Sequence, residues 1–573
     1  MLRSLFSLFL AASVSLAMAC GDDGIEGPYD FVSADGYEGE AAGPPRGVAD
    51  AGTDLGTGGA DDERVVEEGD IYRMLGDGLL LNLNTYRGLQ VIDLRDVDDP
   101  TIIGSHRVTG APVEMYVIGD TALVLMNSWR GYYGARDDVW VESATGGLVL
   151  TVDLTDPTAP ALVDTAFVPG AIQKSRVVRD SEHAALYVAA GGWAEWEEGD
   201  GTYVWESRTV VKSFDVSTAE LLEVSELNLG GHVSDIQATP DALLVARDDW
   251  ERGMGSKVSI IDISDPTGRM ALADEVTVAG RVETQFNMDL RGDVLRIASG
   301  AAWTATRTNH LETFDAADLG ALAPIDHCTY GDGEDLYATI FLDDRAFFVT
   351  YERVDPFHAF ALDADGHCEE RAEFIVSGWN DFFRPVLADT RLIGIGVNDE
   401  GGSRTMAVSL YDITDLDNAS PMVARAEVEA DDSWSEANWD HRAFSVLEDV
   451  VAVAAPDGTP ESGLVLLPFP GWSEGSDGYV AAVQIYTFSE GTLTRRGLME
   501  HGSPVRRSFL AGDDVTANIS DAELSLYDTA APDTPVAHGR LDLAPSYRRL
   551  LTFGDHRVRL RDGQSSWSWW GPR

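Results

Sequence analysis

The chain is 573 residues long and carries 97 Asp and Glu against 41 Lys and Arg, a formal net charge of −56. That length exceeds one ordinary compact core and fits two to four conventional domains or one large repetitive domain. A hydrophobic fraction of 44% with mean hydropathy −0.11 excludes wholesale disorder, and so acidic a surface repels phosphate, which excludes a general nucleic-acid-binding role.

The first element is a leader. Arg3 supplies a positive start, and Leu5 to Ala17 is an apolar run of 13 residues, the length of a signal core and too short to span a bilayer. Ala17-Met18-Ala19-Cys20 closes it. Small residues before a cysteine resemble the bacterial lipobox, which implies acylation of Cys20 after removal of residues 1–19. The alternative is plain secretion with cleavage after Ala19. Gly21 follows the cysteine, and Asp22 stands one place too late for the usual inner-membrane retention signal, so the expected address is the outer membrane or cell surface. Residues 20–62 are Gly, Asp, Ala and Glu with few large apolar groups, and read as a flexible acidic tether. No later run of about 18 apolar residues offers a membrane-spanning helix, so membrane contact is expected through the N-terminal lipid alone.

From residue 63 one unit recurs. A β-branched and aromatic run meets a Gly-Asp or Asp-Asp turn, a second apolar run, a variable insert, a strand ending in Asp, a Pro-containing turn and a fourth run. The strand-ending aspartates are Asp93, Asp153, Asp215, Asp262, Asp315, Asp363, Asp412 and Asp528, with a degenerate copy at Ile485-Tyr486. Most intervals are roughly 42 to 62 residues, a period of propeller blades, and no window sustains a helical apolar period. In Asp153-Leu154-Thr155-Asp156-Pro157, side-chain oxygens can accept from nearby N–H groups while Pro157 ends the ladder, so a turn must follow. Gly119-Asp120 and Gly512-Asp513 supply the tight turn between the first two strands.

The VxxxDLxDPxxPxLV pattern and the Gly-Asp hairpins resemble the bacterial secreted β-propeller family, distantly related to WD-type repeats, and LVIVD-type repeats. The resemblance covers about residues 64–562 and implies architecture and an extracytoplasmic location; it carries no activity and no catalytic residues. The expected fold is all-β, a single large propeller over 63–562 with eight or nine four-stranded blades, or seven if weak copies are insertions, and a Trp-rich tail over 563–573. Edge economy predicts closure, with the half-unit Tyr547–Asp562 adding strands to a blade shared with, or packed on, the unit starting near Arg64.

Three cysteines leave Cys328 and Cys368 if Cys20 carries lipid. Both follow a His in matching positions of consecutive units, so a disulfide is expected, the alternative being two buried thiols. Asp96, Asp98 and Asp99 in one turn, and Asp415, Asp417 and Asn418 in another, can supply oxygen ligands to Ca²⁺; the competing reading is turn capping, and no other cofactor is expected. Aromatic residues gather in the inserts: Trp129, Tyr132, Tyr133 and Trp140; Trp193, Trp196, Tyr203 and Trp205; Trp434 and Trp439; and Trp567, Trp569 and Trp570 at the end. They suit either a binding face or the packing of long inserts onto the disk. No GxSxG, HExxH, P-loop or CxxC pattern occurs, and no pair of the eleven histidines has metal-ligand spacing. The expected function is therefore a monomeric, non-catalytic binding or scaffold module for a protein or carbohydrate partner. The alternative is an extracytoplasmic hydrolase or lyase with carboxylates at the channel.

Overall fold

Nine four-stranded antiparallel sheets follow one another along the chain, over residues 72–106, 111–168, 171–230, 233–278, 288–330, 335–376, 379–427, 432–500 and 507–542; they are blades 1 to 9 of one propeller. The computed structural model describes residues 64–560 except 109, 128–129, 134–139, 144–145, 199–201, 250–254, 302–306, 352–354, 377, 400–403, 474–477, 545–548 and 554–555. Among the described residues there is no α-helix, and no helix is long and apolar enough to cross a membrane.

Each blade starts at the channel and works outward. Antiparallel pairing puts the hairpin between strands one and two on the same face as the turn between strands three and four. The inserts between strands two and three lie on the opposite face. We call these the turn face and the insert face. Gly119 adopts φ +56° in one tight hairpin of the turn face, a left-handed conformation that favours glycine.

The repeated aspartate has one job. Asp93, Asp153, Asp215, Asp262, Asp315, Asp363, Asp412 and Asp528 each accept, on Oδ1 at 2.9–3.0 Å, the N–H two residues further on. This Asx turn satisfies a backbone donor as the ladder ends. In the degenerate copy Thr487 holds the position and donates its hydroxyl to Glu461 at 2.5 Å, while the Ser489 hydroxyl bonds Thr492 at 2.8 Å as the turn begins.

Neighbouring blades join by a rule in their outer strands. Each outer strand carries a bulge near its start, which twists the strand and re-aims the next residue at the following blade. At three of the four interfaces where the following blade's turn ends in Pro, that residue is Gly; at the fourth, before the blade 7 turn that ends in Pro421, it is Ala372. Added Cβ atoms would meet Pro160 Cδ at 3.0 Å from Gly104, Pro535 Cδ at 2.5 Å from Gly497 and Pro100 Cδ at 2.3 Å from Gly539. At four interfaces where the turn ends in a residue with an N–H, the position accepts it. Asp164 takes Leu221 at 3.0 Å, Asp274 takes Leu322 at 2.9 Å, Asp326 takes Cys368 at 3.1 Å and Ser225 takes Met270 at 3.2 Å. Proline has no N–H to give, so an acceptor opposite it would be stranded, and glycine instead makes room for the ring.

The ring closes by this same contact. Gly539 of blade 9 donates its N–H to Val97 of blade 1 at 2.8 Å, as Gly497 of blade 8 donates to Pro532 of blade 9 at 2.8 Å. Leu80, Ile92 and Leu94 of blade 1 form one buried cluster with Phe509, Ile519 and Leu526 of blade 9, and Tyr72 stacks on Phe509 at 3.9 Å between ring centroids. This corrects the expectation that Tyr547–Asp562 completes a shared blade. Arg549–Phe553 and His556–Leu560 pair with each other among the described residues. Blades 1 and 9 each own four strands and bury their faces side to side, so no strand needs to be shared.

Candidate functional site

The unit near Arg64 enters the ring elsewhere. Val65–Glu67 pairs antiparallel with Ala171–Arg179, the innermost strand of blade 3, in the register Val65 to Arg179 and Glu67 to Val177. The chain thus enters the channel from the turn face, where Arg64 pairs with Asp241 at 3.2 Å, and climbs toward the insert face before blade 1 begins. Arg179 holds Glu67. Gly69 lies so close to Glu114 of blade 2 that a Cβ would meet Cγ at 2.7 Å. Asp70 exchanges both backbone hydrogen bonds with Met115 of the same blade, at 3.2 and 2.8 Å.

Blade 8 meets this segment from across the ring. Its inner position is split into Asp432–Ser433 and Ser445–Leu447, both pairing with Gly463–Ser473, and the interruption sends residues 434–444 into the channel. The single turn Glu436–Asn438 is capped by Ser435, whose hydroxyl accepts from Ala437 N–H at 3.0 Å. Arg507, with 0% side-chain exposure, donates to Asp70 at 2.7 Å and to Asp440 at 2.6 Å. Arg442 donates to Glu114 at 2.9 Å, to Asp440 at 3.0 Å and to the Gly69 carbonyl at 2.5 Å. Glu68 lies 3.0 Å from His441 Nε2 and 3.7 Å from Arg176. Ser175 donates to Glu114 at 2.5 Å, and its hydroxyl lies 2.8 Å from that of Tyr116.

Burial alone would push the Glu68 and Asp440 carboxyls up, but the surrounding cations win. His441, Arg176 and Arg442 hold Glu68 well below the usual carboxylate range, and Arg442 and Arg507 do the same for Asp440. Burial raises Glu436, and Arg506 and Arg507 only partly offset it. Carboxylates do converge in the channel, as the alternative reading required, but Glu68, Asp70, Glu114 and Asp440 each hold a guanidinium. A small cavity of about 30 Å³ is lined by residues including Arg281, Glu283, Asn287 and Tyr337. Sequence reasoning missed this network; its traces were the runs Glu67-Glu68-Gly69-Asp70, Asp440-His441-Arg442 and Arg506-Arg507.

The insert face carries the aromatic residues. Trp434, Trp439 and Trp472 are 41%, 44% and 48% exposed. Trp472 lies at the end of the second strand of blade 8, whereas Trp434 and Trp439 belong to the interruption of its first strand, which corrects their expected place in an insert. Tyr479 lies with its ring centroid 6.2 Å from Trp434 and 5.8 Å from Trp472. Trp379 sits beside Tyr351 at 5.2 Å and Tyr337 at 6.2 Å, under the Arg404 guanidinium at 5.6 Å. Trp129 and the tail tryptophans lie outside the described residues. The strands holding Tyr132, Tyr133, Trp140, Trp193, Trp196, Tyr203 and Trp205 are described, but their side chains are not.

The acidic turns are engaged locally. Asp96 accepts from Asp98 N–H at 3.2 Å, and Asp98 lies 2.8 Å from His538 of blade 9. Asp99 N–H bonds the Asp96 carbonyl at 3.2 Å. Asp415 accepts from Asp417 N–H at 3.0 Å, and Arg371 grips Asp417 through two bonds of 3.1 and 2.8 Å. Capping and ion pairing thus engage one carboxylate oxygen each of Asp96, Asp98 and Asp415 and both of Asp417. Cys328 and Cys368 form a disulfide with a Cα separation of 6.3 Å, between blades 5 and 6. The histidines are less scattered than the chain order suggests, since strand pairing puts His310 Nδ1 3.0 Å from His327 Nε2.

A family model described as a beta propeller domain matches residues 199–531. Among curated proteins, an uncharacterized protein of Methanocaldococcus jannaschii is 28% identical over 170 residues, covering 29% of this chain and 26% of the relative. An uncharacterized protein of Archaeoglobus fulgidus is 26% identical over 252 residues, covering 44% of this chain and 34% of the relative. The chain thus spans about a quarter to a third of the length of these relatives. Similar solved structures include a eukaryotic initiation factor (TM-score 0.42, 9% identity, 79% of this chain and 94% of that one). Another is a functionally unknown protein from Desulfotomaculum acetoxidans (TM-score 0.33, 11% identity, 59% and 95%).

Proposed function

The chain belongs to the beta propeller domain family, and from that premise we propose that it is an envelope-anchored or secreted, non-catalytic binding module for a protein or glycan partner. The observation that carries the reading is the contrast between the two candidate sites. The channel is threaded by residues 64–71 and its carboxylates are ion-paired, whereas the insert face presents exposed indoles grouped around Tyr479. Aromatic groups of this kind dominate protein hot spots and stack on sugar rings. On the anchor reading the flexible tether from Cys20 joins the propeller at the turn face, where Arg64 stands.

Two experiments test the proposal. Cys20→Ser should release the protein from the membrane fraction or block its processing; unchanged fractionation with a processed mass removes the anchor. Retention of envelope proteins or glycans by the wild type should be lost in Trp434→Ala/Trp472→Ala/Tyr479→Ala, and retention unchanged by that variant removes the binding face.

A further inference from the structure

We propose that His358, Glu370 and Glu373 form a site for a divalent transition-metal ion, Zn²⁺ or Mn²⁺, in the cleft between blades 5 and 6. His358 lies in the third strand of blade 6 and the two glutamates in its outer strand. His358 pairs with Glu373, and Phe360 pairs with Glu370. The bulge between them is essential. In an unbroken strand, residues 370 and 373 would point to opposite faces; the extra residue, Arg371, turns both toward His358. One ligand atom from each of the three lies within 4.8 Å of the others. His358 is buried and both glutamates are exposed, so a fixed nitrogen lies beneath two carboxylates open to solvent, leaving room for waters to complete the coordination.

Proton bookkeeping supports a cation here. The Thr350 hydroxyl donates to Glu334 at 2.5 Å. Its single proton is then committed, so at 3.0 Å its oxygen accepts from His358 Nε2–H. That fixes the ring and leaves Nδ1 facing Glu370 Oε1 at 2.7 Å. In that tautomer a bare lone pair faces a carboxylate, and a cation between them turns the repulsion into attraction. A proton satisfies the pair alone; a metal ion also uses the second carboxylate, Glu373. The Thr350–Glu334 chain holding the far side of the imidazole is the outer-shell support that metal-binding histidines have. One imidazole with two carboxylates suits Zn²⁺ or Mn²⁺ better than Ca²⁺, which takes oxygen throughout. Two nearby groups do not compete on the same terms. The Cys328 and Cys368 sulfurs are bonded to each other, and His310 and His327 satisfy one another by a direct N–H···N bond.

The test is calorimetric titration of the metal-stripped full chain with ZnCl₂ and MnCl₂, in excess Mg²⁺ and Ca²⁺ to occupy the general acidic surface. One equivalent of Zn²⁺ or Mn²⁺ should bind and raise the thermal midpoint. Glu373→Gln, at an exposed position that folding does not require, should abolish both effects. Thr350→Val should weaken binding about 10- to 100-fold, and His310→Ala/His327→Ala should leave it intact. No uptake by the wild type in excess Mg²⁺ and Ca²⁺ overturns the site, as does uptake that survives Glu373→Gln or disappears with the His310 and His327 pair. The contact between His358 and Glu370 is then an ion pair alone.

Discussion

The rim and the channel of this propeller hold their neighbours by opposite means. At the rim, each joint is local and cheap. One post-bulge residue meets the end of one turn in the next blade, and a Gly–Pro or acceptor–N–H match recurs at seven of the nine interfaces, including the closing one. In the channel the partners are far apart in the chain, as with Arg507 and Asp70, 437 positions apart, and they are buried charges. A rim joint can fail without stranding a charge. A channel joint cannot, because removing one partner leaves the other unsolvated and unpaired. The rim therefore sets how the blades stack, and the channel sets which blades must be present together.

The largest effect should come from the channel. Arg507→Met leaves Asp70 and Asp440 buried without their shared cation, a loss of about 3–5 kcal/mol. Chemical denaturation should register it, and limited proteolysis should begin to cut near residues 64–71. Loss below about 1 kcal/mol would place the network on the same footing as the rim. Next comes the one covalent joint of the rim. Cys328→Ala/Cys368→Ala opens a loop with a sequence separation of 40 and should cost about 2–4 kcal/mol in denaturant midpoint terms.

Gly539→Ala and Gly497→Ala probe whether the closing joint is like an interior one. Each new Cβ would meet a Pro Cδ, at 2.3 and 2.5 Å, and each should cost about 1–3 kcal/mol by overpacking. Equal losses make the two interfaces equivalent; a loss at Gly539 much smaller than at Gly497 would mean that the seam is held by the channel.

Acid should act through buried His501 of blade 8. Burial first, and Arg540 second, depress it to about 3, while its ring bonds Ser525 and Ser520 at 2.8 and 3.1 Å. The folded value is lower than the unfolded one, so the unfolded chain binds the proton first. Its contribution is complete above the unfolded value of about 6.5 and falls by about 1.4 kcal/mol per pH unit until about 3. His501→Gln should flatten that slope in thermal melts across the same window, and an unchanged slope would remove His501 from the account. The smallest effect belongs to the exposed Asx caps. Asp153→Asn keeps an acceptor for Thr155 N–H and should leave the melting temperature nearly unchanged, with Asp153→Ala only slightly lower.

What the sequence determined by itself was everything that repeats. The strand-ending aspartates, the Pro turns and the Gly-Asp hairpins act within a few residues of themselves, so the four-stranded unit and the propeller were legible from the chain. The Gly–Pro and Asp–N–H pairing at the rim was also written there, in Gly104, Gly497 and Gly539 against Pro160, Pro535 and Pro100, though the bulge that makes it meaningful appears only once strands are paired. The tertiary structure alone decided the count of nine, the closure without a shared strand, and the threading of residues 64–71 through the ring. It also brought Glu68 to His441, and His358 to Glu370 and Glu373. These contacts depend on which blades face one another across a channel and on a one-residue slip that reverses which way side chains point. No periodicity encodes them, because each occurs once.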